Sequence, residues 1–110
     1  MTTTIRVTAS SELLPLADKI AISIRRGQGI TLQAAGPTDV DLAIRAIALA
    51  RNYLAYDSIE LCFASSFVDI HDIDNPAPAM VLSVDRPDRL FRSMPNATPM
   101  MDDKLEQNGQ

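Results

Sequence analysis

A chain of 110 residues, 46% of them hydrophobic, is long enough for one folded domain and too apolar to stay disordered. Its single cysteine, Cys62, excludes a disulfide framework, the lack of Trp leaves few stacking platforms for single-stranded bases, and no apolar run approaches the roughly 18 residues of a membrane span. The formal charge of −4 is uneven: residues 5–56 hold six basic against four acidic side chains, residues 57–85 hold six acidic and no basic ones, and residues 86–110 balance four against four. A polyanion is therefore expected to approach the first half of the chain and avoid the third quarter.

The opening MTTTIRVTAS has no basic stretch followed by an apolar run, so no signal peptide is read and the cytoplasm is the expected compartment. Ile5, Val7 and Ala9 alternate with Arg6 and Thr8, which predicts a first strand. Ser10 and Ser11 offer an N-cap to a helix carrying Leu13, Leu16, Ala17, Ile20 and Ile24 at helical spacing, with Pro15 in its first turn. Arg25 and Arg26 suit its last turn, and Gly27 and Gly29 stop it.

Ile30 to Ala34 reads as a second strand, and Gly36-Pro37 as the turn that opens a second helix running to about Leu54, with Thr38 or Gly36 as cap. Over Val40 to Leu54 the apolar side chains of this helix cover roughly 260° at 100° per residue. Asp41, Arg45 and Asn52 form its one wet strip. An ordinary surface helix needs only about a 100° stripe, so this one is expected to bury two surfaces. Val40, Ala43, Ile44, Ile47 and Leu54 are expected on the sheet; Leu42, Ala46, Leu49 and Tyr53 are expected to face the first helix or a second subunit.

Asp57-Ser58 turns the chain into a third strand, Ile59 to Ala64. An acidic connection over 66–78 leads to a fourth strand, Met80 to Val84, and Pro87 is read as the end of the regular core, apart from a docking turn at Leu90-Phe91. The domain is thus expected over 1–86, with a mobile tail over 87–110. The order β-α-β-α-β-β, with right-handed crossovers, predicts an α+β, two-layer fold: a mixed four-stranded sheet with two helices on one face.

Val7-Thr8-Ala9, Gln33-Ala34 with Gly36, the AIRAIALAR run at 43–51, Leu61, and the Phe67, Asp69, Ile70 group form a series. In that order the chain resembles the stage V sporulation protein S family, a branch of the Alba-like fold. The likeness runs without a gap from about Val7 to Ile70 and more loosely to Asp85. It implies a sheet order 1-2-4-3 with the fourth strand antiparallel, and a role in developmental regulation. It also implies dimers formed through the second helix and the last two strands. Nucleic acid would be held by a basic loop after the first strand and a basic hairpin between the third and fourth. Both binding parts depart from that pattern. The loop is Ser10-Ser11-Glu12, and the 66–79 hairpin has three aspartates and no Arg or Lys. A phosphate contact needs a cation or a free N–H, so a grip on duplex DNA by the hairpin is disfavoured.

Arg6, Arg25, Arg26, Arg45 and Arg51 remain as the expected contacts to RNA or DNA. Arg45 has an alternative partner in Asp41 at i,i+4, and Arg51, in the middle of the apolar face, must snorkel or meet a carboxylate at a fold or subunit boundary. Asp69, His71, Asp72 and Asp74 suit a solvated hairpin better than a metal, because strand alternation would split them between two faces. Cys62 has no base at a useful spacing. No catalytic residue, metal or cofactor is expected. The partners expected are a second copy of the chain, RNA or DNA, and a protein met through the tail.

Overall fold

The computed structural model describes residues 3–68 and 79–92. Strand β1 (Thr3–Val7), helix α1 (Leu13–Arg25), strand β2 (Ile30–Ala34), helix α2 (Pro37–Ala55), strands β3 (Cys62–Val68) and β4 (Ala79–Asp85), and a short helix α3 (Pro87–Arg92) follow in chain order. The sheet order is β1-β2-β4-β3. Among the described residues only the β1–β2 pair is parallel; β4 runs antiparallel to both its neighbours. The α+β, mixed four-stranded architecture and the order implied by the resemblance are what the chain adopts.

Register fixes the two faces of the sheet. Val7 pairs with Ala34, Leu32 with Leu82, and Ile30 with Val84, and all six are buried in one core with Leu16, Ile20 and Ile24 of α1 and Ala43, Ile47 and Leu54 of α2. Side chains alternate along a strand, so a single shared core places both long helices on one face. The opposite face presents Thr4, Arg6, Thr31, Gln33 and Ser83, with Val81, Ala64 and Val68 beside them on β4 and β3.

Several boundaries differ from the sequence reading. β1 begins at Thr3 and ends at Val7, because Thr8 turns the chain: Ser11 N–H donates to the Thr8 carbonyl at 2.9 Å, and Thr8 N–H donates to Ser11 Oγ at 3.0 Å. That turn occupies the serine hydroxyls expected to cap α1, whose N-cap is Glu12 without a side-chain bond. Gly36 caps α2, with Pro37 in the first turn. At the far end Ser58 takes a left-handed φ of 57° and closes the helix, as the Asp57-Ser58 turn predicts.

β3 starts three residues later than Ile59 and runs to Val68, its register set by Phe63 opposite Val84 and Phe67 opposite Met80. Leu61 still plugs the core, from the lead-in rather than the strand. Pro87 does not end the fold; it opens α3, where a missing N–H costs nothing, and Leu90 of that helix is buried. The expected docking turn is thus half present, since Leu90 docks while Phe91 is exposed, and the folded unit runs through Arg92.

The second surface of α2 is taken up largely inside the chain. Ala46 is fully buried, and Leu42, Leu49 and Tyr53 are half-buried against the core. Ile44 does not pack under the sheet as expected; it is 41% exposed.

Candidate anion-binding edge and assembly groove

The five arginines expected to meet nucleic acid do not converge. Arg25 leaves the last turn of α1 toward α2; its Nε donates to Asp57 Oδ2 at 2.8 Å and its Nη2 to the Tyr53 carbonyl at 3.3 Å. Arg45 holds Asp41 at 2.8 Å, the i,i+4 pair that the spacing allows. Arg51 meets Glu60 through two bonds, Nε to Oε1 at 2.8 Å and Nη2 to Oε2 at 3.3 Å, so its ion pair lies at the fold boundary where α2 hands over to the lead-in of β3.

Glu60 Oε1 also accepts the Leu61 N–H at 3.0 Å. The hydrogen bond from Arg51, then that of Leu61, then the Arg51 charge hold the Glu60 carboxyl below its ordinary range, and the same pair holds the Arg51 guanidinium further above its own. Guanidinium groups already satisfied by carboxylates have less to offer a phosphate.

The remaining cations have a pattern. Among the described residues, Arg6, Lys19, Arg26 and Arg86 have no carboxylate partner; Arg89 and Arg92 are paired with Asp85 and Asp88. Three of those four lie along one edge. Arg6 stands on β1, which is an edge strand, and points to the face of the sheet opposite the helices. Lys19 and Arg26, seven residues apart and so on one side of α1, line a groove with Thr3, Ile5, Ile22, Ser23, Gln28 and Ile30. The groove is about 230 Å³. Arg6 and Arg26 were legible as candidates; Lys19 was not, because only the groove that β1 and α1 jointly line gives it a place.

A second groove lies at the other end of the sheet order. α1 and α2 cover β1 and β2, and β3 is the outermost strand beyond β4. The inward-facing residues of β3 therefore lack a helix over them: Phe63 is 39% and Phe67 71% exposed. Ile44, Ile47, Ala48 and Arg51 of α2 and Leu61, Cys62 and Phe63 line an open channel of about 340 Å³ there. Its surface is apolar, with the Arg51–Glu60 pair at one margin.

Of the α2 residues expected at a subunit contact, Ala46 is enclosed by its own chain, and Leu42, Leu49 and Tyr53 lie against its core. The exposed apolar side of the helix is instead the one bearing Ile44 and Ala48.

Cys62 borders this channel and donates through Sγ to the Asp85 carbonyl at 3.7 Å. Burial first, then the charges of Asp85 and Glu60, push its thiol above the ordinary range, away from the thiolate that nucleophilic chemistry needs. The Asp69, His71, Asp72 and Asp74 group lies outside the described residues. Among the described residues no helix is long and apolar enough to cross a membrane.

No curated protein matches the chain. The sequence profile of stage V sporulation protein S matches residues 3–86 without reaching α3 beyond its lead-in. That span takes in all four strands and both long helices, and the chain belongs to the stage V sporulation protein S family, a group of sporulation-related regulatory proteins.

Proposed function

We propose that the protein is a non-enzymatic cytoplasmic regulator that acts as a homodimer and binds RNA or DNA weakly along the β1–α1 edge. One observation carries the binding part: the side chains of Arg6, Lys19 and Arg26 flank a single edge strand without a carboxylate partner among the described residues, whereas Arg25, Arg45 and Arg51 are held by Asp57, Asp41 and Glu60. The site offers few cations and no aromatic platform, so affinity is low and electrostatic. The dimer part is supported by the apolar channel between α2 and β3, on the elements through which the wider Alba-like group assembles.

A salt titration with labelled RNA and DNA tests it. Three phosphate contacts predict a slope of log K against log salt of about −2 for a single strand. Lys19→Glu with Arg26→Glu abolishes the binding, while Arg45→Ala leaves it unchanged. No binding at about 50 mM salt, where counterion release contributes most, overturns the nucleic-acid part.

A second reading is favoured by the exposure of Ile44, Phe63, Phe67 and Phe91: a protein-interaction module that has lost nucleic-acid binding. It predicts no salt-dependent nucleic-acid binding together with retained self-association, so the same titration separates the two.

A further inference from the structure

We propose that the groove between β1 and α1 is the docking site of the chain's own segment Met100–Glu106. The inference rests on the reading of this edge as an anion site for its cations, and on nothing else in that reading.

The groove combines two chemistries. Lys19 and Arg26 stand about 10 Å apart along α1, two helical turns. Between them Ile22 is 46% exposed, and Ile5 lies alongside. A fitting occupant carries carboxylates and flexible apolar side chains within a few residues. Met100-Met101-Asp102-Asp103-Lys104-Leu105-Glu106 is such a sequence, with three carboxylates against one ammonium. The unbranched methionines adapt to a shallow, irregular surface.

The path of the chain brings the segment within reach. Arg89 of α3 donates through Nη1 to the Gly27 carbonyl, and Gly27 lies between Arg26 and Gln28, both of which line the groove. α3 ends one turn later, at Arg92. The eight residues 93–100 span up to about 27 Å when extended. That length is enough for residues 100–106 to reach Lys19 and Arg26 from the end of α3.

Paramagnetic relaxation measured on the full chain tests this without any nucleic acid present. A nitroxide at Asn108→Cys in a Cys62→Ser background is expected to cost the amides of Ile22, Arg26 and Gln28 their signal while sparing those of Ala48 and Arg51. Lys19→Glu with Arg26→Glu restores the signals. Adding Asp102→Lys and Asp103→Lys to that variant removes them again, because the charges are exchanged rather than lost.

Relaxation spread evenly over the surface, or indifferent to these reversals, overturns the proposal. So does broadening that persists when spin-labelled chains are mixed with isotope-labelled, spin-free ones, since the occupant is then the tail of a second copy. A tail that docks while RNA fails to bind sinks only the nucleic-acid reading; RNA binding without docking sinks only this one.

Discussion

A Cβ added to Gly29 would stand 2.8 Å from Asp85 Oδ2 and 3.2 Å from Asp85 Cγ. The carboxylate has no easy retreat. Asp85 Oδ1 accepts the Arg86 N–H at 2.7 Å and lies 3.2 Å from Arg89 Nη2, and the side chain is mostly buried. Arg89 in turn donates to the Gly27 carbonyl. The turn between α1 and β2 is thus tied to the end of β4 and to α3 through one carboxylate and one guanidinium, and Gly29 supplies the space in which they meet.

Gly29→Ala is expected to destabilise the fold by about 1–3 kcal/mol, as forcing an extra carbon into a filled site does. Denaturant melts measure it. Asp85→Ala removes the obstructing group, so the double variant is less destabilised than the sum of the singles, because residues in contact couple. Additive losses would show that Asp85 is not what excludes a side chain at position 29.

Leu90→Ala is expected to cost about 2 kcal/mol, at the lower end for a buried leucine because a six-residue helix at the margin can settle into the space left. Phe91→Ala, one residue on and exposed, is expected within about 0.5 kcal/mol of the parent. Equal losses at the two positions would contradict the docking of α3 through Leu90.

The Arg51–Glu60 pair makes a prediction with a sign. Glu60 titrates below its ordinary range in the folded protein, held there first by the Arg51 hydrogen bond. A carboxylate lowered in this way contributes stability above its unfolded pKa, and that contribution is lost as pH falls through the folded value. Arg51→Ala therefore narrows the stability gap between near-neutral and acid conditions, and in that variant the Glu60 titration followed by NMR moves back up toward the ordinary carboxylate range. A Glu60 titration unchanged by the substitution would mean that the pair does not persist in solution.

Much of this was legible from side-chain spacing. The alternation of Ile5 and Val7, the helical spacing from Leu13 to Ile24, Gly27 as a helix stop and the Asp41–Arg45 pair are local patterns, and the structure keeps them. What spacing could not decide was set by contacts distant in sequence. Ile59, Leu61 and Phe63 alternate whether the strand starts at 59 or 62, and the partner strand decides it, since pairing with β4 begins at Cys62 opposite Asp85. Pro87 stops or starts a helix equally well, and the burial of Leu90 decides it. The position of Arg51 on an apolar face asks it to snorkel or meet a carboxylate, yet nothing local names Glu60, nine residues on and beyond a turn. Lys19 looked like an ordinary solvated lysine until β1 was laid beside it.

The apolar channel between α2 and β3 carries the assembly claim to a direct measurement. Ile44 and Phe63 are 41% and 39% exposed in the single chain, so Ile44→Asp and Phe63→Asp lose part of their packing there while the new charge keeps contact with water. In a dimer closed over the channel they bury charge against apolar surface, which is strongly unfavourable. Light scattering at micromolar concentration is expected to show a halved mass for either variant. Leu42→Ala, on the side of α2 turned toward the chain's own core, is expected to lower stability and leave the mass unchanged. A parent protein that is already monomeric, or variants that keep its mass, would remove the channel as the subunit contact.

Cys62 gives the last test, and it reads the same channel by chemistry. Its thiol is raised by partial burial and by the neighbouring carboxylates of Asp85 and Glu60. Since the thiolate is the reactive form, alkylation near pH 7.5 is expected to run slower than that of a free cysteine, whose pKa is about 8.5. The rate climbs only above the ordinary thiol range. Glu60→Gln removes one of the charges that raise the thiol, and should speed labelling modestly at fixed pH. In a dimer closed over the channel, reaction slows further as protein concentration rises, because Cys62 borders the surface that assembly would cover. Labelling at the free-thiol rate would contradict the charge and burial assigned to this position; a rate independent of concentration would contradict only the dimer.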